Sequence, residues 1–192
     1  MPPESDAARI PLPRPGAGQT RARLAEILRV DHAGEFGAVE IYRAQKAVFR
    51  GRRGHEGITE DLTEMQGHEA VHLARFQELL TQHRVRPTAL LPFWRVAAHA
   101  LGAGTALMGD KAAHACTEAV ETVIGEHYDR QIAEIRERDP ELAAELTRFR
   151  DEELAHKDHA IEHGAHEAPA YRLLSAVIQT GCRAAIKIAE KV

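Results

Sequence analysis

Four glutamates and two histidines are the residues of this chain best suited to chemistry. Glu69 with His72, and Glu153 with His156, form two Glu-x-x-His pairs, and a lone glutamate, Glu35 or Glu121, precedes each pair at similar separation. Residues i and i+3 share a helix face, so each pair presents a carboxylate beside an imidazole. One Glu from each of two helices plus a Glu-x-x-His from each of two others is the donor set of di-iron and di-manganese carboxylate bundles. Imidazole is a good iron ligand, and carboxylates suit hard divalent cations. The motif alone is weak, because a chain this rich in Glu, with 12 His, produces it by accident. Placement carries the weight.

The helices that must position these groups can be read from steps of three and four. They pick out Leu24, Leu28, Asp31, Glu35, Ala38, Tyr42, Gln45 and Phe49, then Leu62, Met65, Glu69, His72, Phe76, Leu79 and His83. They continue with Thr117, Glu121, Ile124, Tyr128, Gln131 and Ile135, and with Leu142, Leu146, Phe149, Glu153, His156, Ala160 and His163. Such alternation marks the buried seam of a helical bundle. All six donors fall on the helix stripes that should be apolar. Ionised carboxylates are very costly to bury unpaired, and two divalent cations would balance four of them. The halves repeat: a tyrosine, Tyr42 or Tyr128, follows each lone Glu by seven positions. Two hairpins about a pseudo-twofold axis would enclose two metals.

The expected fold is all-α, a four-helix bundle with extra helices. A disordered tail is expected at 1–19 and one domain at 20–192. Helices are expected near 20–50, 57–84, 93–101, 110–138, 140–164 and 169–191. Pro87, Pro92, Pro140 and Pro169 all fall where helices break or start. Gly102, Gly104 and Gly109 fit a glycine-rich turn slightly better than a site of close helix approach.

A net charge of −4 argues against a nucleic-acid binder. Two cysteines, Cys116 and Cys182, are no disulfide framework and point to a reducing compartment. Residues 1–20 hold no apolar run, so no secretory signal is expected. The most apolar run, 96–108, contains His99 and is shorter than the about 20 residues a membrane span needs. Two segments, 90–109 and 169–192, still combine apolar faces (Phe93, Trp94 and Val96; Leu174, Val177 and Ile188) with cations, as interfacial helices do.

Three alternatives compete. His68-Glu69-Ala70-Val71-His72 matches the zinc-peptidase pattern, but no third ligand follows nearby. An iron-oxidising storage protein would use the same six ligands. A metal-free helical membrane adaptor would bear the full cost of its polar seams.

The segments Arg29-Val-Asp-His-Ala-Gly-Glu35, Gly67-His-Glu-Ala-Val-His72, Leu101-Gly-Ala-Gly-Thr-Ala-Leu-Met-Gly109, Ala115-Cys-Thr-Glu-Ala-Val-Glu121 and Phe149-Arg-Asp-Glu-Glu-Leu-Ala-His156 together resemble the demethoxyubiquinone hydroxylase family of ubiquinone biosynthesis, from about residue 20 to the C-terminus. His68 is an extra residue in that pattern. The resemblance implies a ferritin-like di-iron monooxygenase that uses O2 to hydroxylate the ring of 2-polyprenyl-3-methyl-6-methoxy-1,4-benzoquinol. It implies two irons on Glu35, Glu69, His72, Glu121, Glu153 and His156, with Glu69 and Glu153 bridging. It also implies a peripheral position on a membrane, here the cytoplasmic face of a bacterial inner membrane. A second copy or a lipid-presenting protein is left open as partner. Asp31 is the candidate to hold a ligand histidine, since such ligands need their other nitrogen fixed. Tyr128, and more weakly His127, are candidate quinol contacts, each balanced against a plain packing role.

Overall fold

A computed structural model describes residues 17–191, with side chains described from residue 20; most of the expected 1–19 tail lies outside the described residues. Six α-helices follow one another: α1 Ala17–Phe49, α2 Glu56–His83, α3 Leu91–Leu107, α4 Asp110–Ile135, α5 Pro140–Glu162 and α6 Tyr171–Ala189. A 3-10 turn, Ala165–Glu167, joins the last two. Among the described residues there is no strand. Helix α1 begins at Ala17, a little before the expected start.

The prolines act as local rules require. Asp139 caps α5, accepting from the Leu142 N–H at 3.0 Å, and Pro140 opens the helix with the fixed φ that a first turn wants. Pro92 sits in the first turn of α3. At the other end of a helix, Arg84 takes a left-handed φ of 54° and its N–H reaches back to the Leu80 and Thr81 carbonyls, ending α2.

Each half of the chain is a unit of three helices. Helix α1 packs on α2 and α3, and α4 packs on α5 and α6. Two apolar clusters fill the bundle. One holds Phe49, Leu62, Met65, Cys116, Val120 and Ile178. The other holds Leu28, Phe76, Leu80, Ile132, Leu146 and Phe149. The six donors make a polar layer: on α1, α2 and α4 they occupy positions between these clusters, and on α5 the second cluster packs on one side of them. The seams are buried as expected, apart from Leu24, His83 and Ile124, which are half-buried, and His163, which is exposed.

Helix α3 corrects the expectation at 102–104. It continues through Leu107, so Gly102 and Gly104 are helical and only Gly109, with φ 111°, makes the turn. Gly102 exists for close approach: a Cβ there would lie 2.3 Å from the Ile41 carbonyl oxygen and 3.0 Å from the Ala44 Cβ, both on α1. Gly104 meets nothing. Gly102→Ala is therefore expected to lower stability by about 1–3 kcal/mol through overpacking. Gly104→Ala, which only removes the glycine penalty of up to about 1 kcal/mol, should hold or raise it. Thermal denaturation of the two variants checks this; equal behaviour would mean that α1 and α3 are not in contact at Gly102.

Candidate metal centre

Glu35 on α1, Glu69 and His72 on α2, Glu121 on α4, and Glu153 and His156 on α5 converge in the polar layer, each no more than 5% exposed. They form two overlapping donor groups. One is Glu35, Glu69, His72 and Glu153; the other is Glu69, Glu121, Glu153 and His156. Within each group the donor atoms lie within 4.8 Å of one another. Only Glu69 and Glu153 belong to both, which places the two Glu-x-x-His carboxylates between two positions and the lone glutamates at the flanks.

Both imidazoles turn Nδ1 inward. His72 Nδ1 lies 3.0 Å from Glu153 Oε1 and 3.5 Å from Glu35 Oε2. His156 Nδ1 lies 3.1 Å from Glu69 Oε1 and 3.3 Å from Glu153 Oε2. The inward atoms Glu35 Oε2, Glu69 Oε1, His72 Nδ1, Glu121 Oε2, both Glu153 oxygens and His156 Nδ1 are buried without a hydrogen-bond partner. Buried polar atoms are rarely left so. Seven of them facing one point fit a pair of cations and fit no apolar core.

The outward atoms are satisfied by the protein. Tyr42 of α1 donates its hydroxyl to Glu121 Oε1 of α4 at 2.8 Å. Reciprocally, Tyr128 of α4 donates to Glu35 Oε1 of α1. Each lone Glu therefore has one oxygen fixed by a tyrosine from the other half and one oxygen free for metal. Burial and the carboxylates beside them push both phenols well above their ordinary range, so each keeps its proton to donate. His72 Nε2 meets Glu152 Oε2 at 2.6 Å, and His156 Nε2 meets His68 Nδ1 at 3.0 Å.

The electrostatics report the crowding of like charge. With the protein's own charges, burial first and then the neighbouring carboxylates push Glu69 and Glu121 well above the carboxylate range. Burial would raise Glu153 too, but the His156 and His72 imidazoles outweigh it and hold that group at about 2. Burial opposes charge on His72, yet Glu153 and Glu35 raise it to about 11. The cluster is short of positive charge and takes it from protons when no metal supplies it.

Three expectations change. Asp31 does not orient a ligand histidine. One turn before Glu35 it lies beyond the ligand layer, where its Oδ1 accepts from Gln131 Nε2 at 2.8 Å. The partners of the ligand imidazoles are instead Glu152 and His68, neither on a seam; His68, extra in the family pattern, faces His156. Tyr128 and His127 are not placed to touch a quinol in the groove described below. Tyr128 is spent on Glu35, and His127 accepts from Gln131 Nε2 at 2.8 Å, with burial and the nearby arginines lowering it to about 4. The zinc-peptidase arrangement fails as well, because His68 and His72 address different groups and His68 belongs to neither donor set.

A groove of about 330 Å³ runs between α1, α3, α4 and α6. Its walls are apolar, including Trp94, Leu101, Val120 and Ile178, and Gly34, which precedes Glu35 in the chain, is also among the lining residues. Both greasy segments marked in the sequence, 90–109 and 169–192, line the groove.

Fold and site together define a helical bundle whose buried layer of four carboxylates and two histidines forms two donor groups that could hold metal ions. Residues 22–189 match the family described as ubiquinone biosynthesis protein COQ7, and the chain belongs to that family. It is 49% identical over 175 residues to the mouse protein named NADPH-dependent 3-demethoxyubiquinone 3-hydroxylase, mitochondrial, covering 89% of this chain and 79% of that one. The human protein of the same name is 48% identical over 176 residues, covering 90% and 79%. A Rhodospirillum rubrum protein named 3-demethoxyubiquinol 3-hydroxylase is 46% identical over 178 residues, covering 93% and 82%.

Removing the carboxylate that holds a ligand imidazole weakens metal binding about 10- to 100-fold in sites of this kind. Glu152→Ala is expected to do so here with the fold retained, read by equilibrium dialysis against Fe2+. An unchanged affinity would show that Glu152 does not support His72.

Proposed function

We propose that this chain uses O2 to hydroxylate the ring of a demethoxyubiquinol, with two iron ions held by Glu35, Glu69, His72, Glu121, Glu153 and His156. One observation carries the reading: two buried donor sets share Glu69 and Glu153. An apolar groove of ligand size, lined by Gly34 and Val120, the chain neighbours of Glu35 and Glu121, supports it. The activities named for the mouse and Rhodospirillum relatives support it. When bound, the two irons supply the electrons that activate O2. NADPH, the reductant in the mouse relative's name, is carried to this chain on the same footing.

The chain's own residues do the rest. Glu69 and Glu153, common to both donor groups, would help hold both ions, and Glu35 and Glu121 would each help hold one. Tyr42 and Tyr128 fix the outer oxygens of those flanking carboxylates, so each can offer its inner oxygen without swinging away. The groove takes the quinol with its ring toward Gly34 and Val120, the neighbours of Glu35 and Glu121, and its polyprenyl tail between α3 and α6. Apolar walls exclude bulk water from the reacting ring.

Outward faces of the same two helices carry unpaired hydrocarbon: Phe93, Val96 and Leu107 on α3, Leu173, Val177 and Ile188 on α6. Among the described residues no helix is long and apolar enough to cross a membrane. Helices α3 and α6 would lie in the bilayer interface, with the groove opening toward the lipid that holds the substrate. We place this on the cytoplasmic face of a bacterial inner membrane. Buried Ser175, Ile178 and Ala189 make α6 part of the packed structure, so only its outward positions are free to change.

The test of the reaction is isotopic. Iron-loaded protein with reductant, 18O2 and a short-tailed demethoxyquinol should give a product one oxygen heavier, with the label in the new hydroxyl. No product, or oxygen drawn from water, would overturn the reading. Separately, Val96→Ser with Leu173→Ser should reduce flotation with liposomes while iron content holds. Undiminished flotation would remove α3 and α6 as the membrane face.

A further inference from the structure

A second set of metal-ligating side chains lies outside the polar layer. Asp61 of α2 with His159 and His163 of α5 bring three donor atoms within 4.8 Å of one another. Asp61 Oδ2 is 3.2 Å from His159 Nε2, a buried nitrogen that makes no hydrogen bond. The His163 Nδ1–H donates to the His159 carbonyl at 2.8 Å. That bond fixes the tautomer and leaves the Nε2 lone pair for a ligand. The two rings stack with centroids 4.0 Å apart. His114, buried beneath them, lies 5.5 Å from the His163 ring. Two imidazoles and one carboxylate, with coordination positions left open, are a donor set that suits Fe2+.

What makes this more than a surface cluster is its neighbour. A pocket of about 220 Å³ is lined by Asp61, Glu64, His68, Glu152, His156 and His159, with Met65 and Ala155. It has two members of the outer cluster on its wall and, on the same wall, His156 of the core. The core ligands are all buried, so an ion must reach them by some route. The apolar groove is a poor one, because a cation shedding water there meets no polar group. The Asp61 pocket offers carboxylates and imidazoles along its length.

We propose that Asp61, His159 and His163 form a third, exchangeable Fe2+ site, from which the ion passes through the Glu64–His68–Glu152 pocket to the core. This rests on the di-iron reading of the core and adds a loading station to it. The ion keeps its charge, and no electron moves during capture or transfer. The outer site keeps partial solvent access, with the Asp61 and His159 side chains 21% and 35% exposed, as exchange demands.

The test uses full-length protein stripped by chelator and titrated anaerobically with Fe2+ alone. The unmodified chain should bind three equivalents, the third more weakly than the other two. A His159→Ala, His163→Ala double variant should lose the third equivalent and keep two. Its core should also fill more slowly in stopped-flow loading, while reaching the same final occupancy. Asp61→Asn, a nearly isosteric change, should act in the same direction. Retention of the third equivalent in both variants, or core loading as fast as in the unmodified chain, overturns the proposal. A chain that never takes the first two equivalents refutes the core reading instead, and the outer site is then judged by whether its own equivalent disappears in the double variant.

Discussion

Four carboxylates held in one buried layer repel one another, and everything else in this structure is arranged around that repulsion. Burying an ionised carboxylate is expensive, and grouping several multiplies the cost. Two imidazoles offset part of it, and the phenols of Tyr42 and Tyr128 stabilise the outer oxygens. The inward atoms, however, stay without partners. Two divalent cations would balance the four charges.

The bundle is shaped to hold that layer still. Apolar clusters above and below it set the helix spacing, with Phe149 packed 4.2 Å from the His72 ring. The crossed tyrosines tie α1 to α4, so each half positions a ligand of the other. This reciprocity gives the pseudo-twofold relation its physical content. The third helix of each half, α3 or α6, does not contribute a ligand. Both wall the apolar groove, and both carry exposed apolar side chains on their outward faces.

Much of this was legible in the sequence because helical periodicity reports burial. Glu35, Glu69, Glu121 and Glu153 fall on largely apolar seams, and a seam residue must point inward. Proline positions marked the helix starts for the same local reason. What periodicity does not report is which residue of another helix lies opposite. Glu152 and His68 sit off the seam and looked like surface residues, yet they meet the backs of the ligand imidazoles. Asp31 sits on the seam, but a helical turn is enough to carry it past the layer to Gln131. Tyr128 was recognised as an inward hydrogen-bonding group, while its partner across the bundle was not. Gly102 looked like a turn because a sequence shows missing bulk without showing the Ile41 backbone that requires it.

The most direct measurement is anomalous diffraction at the iron edge from crystals of the iron-loaded chain. Two peaks should appear in the polar layer, about 3.5–4 Å apart as in two-metal sites, both reached by Glu69 and Glu153 and each by one histidine Nδ1. A single peak, or iron found only away from these four carboxylates, would contradict the account.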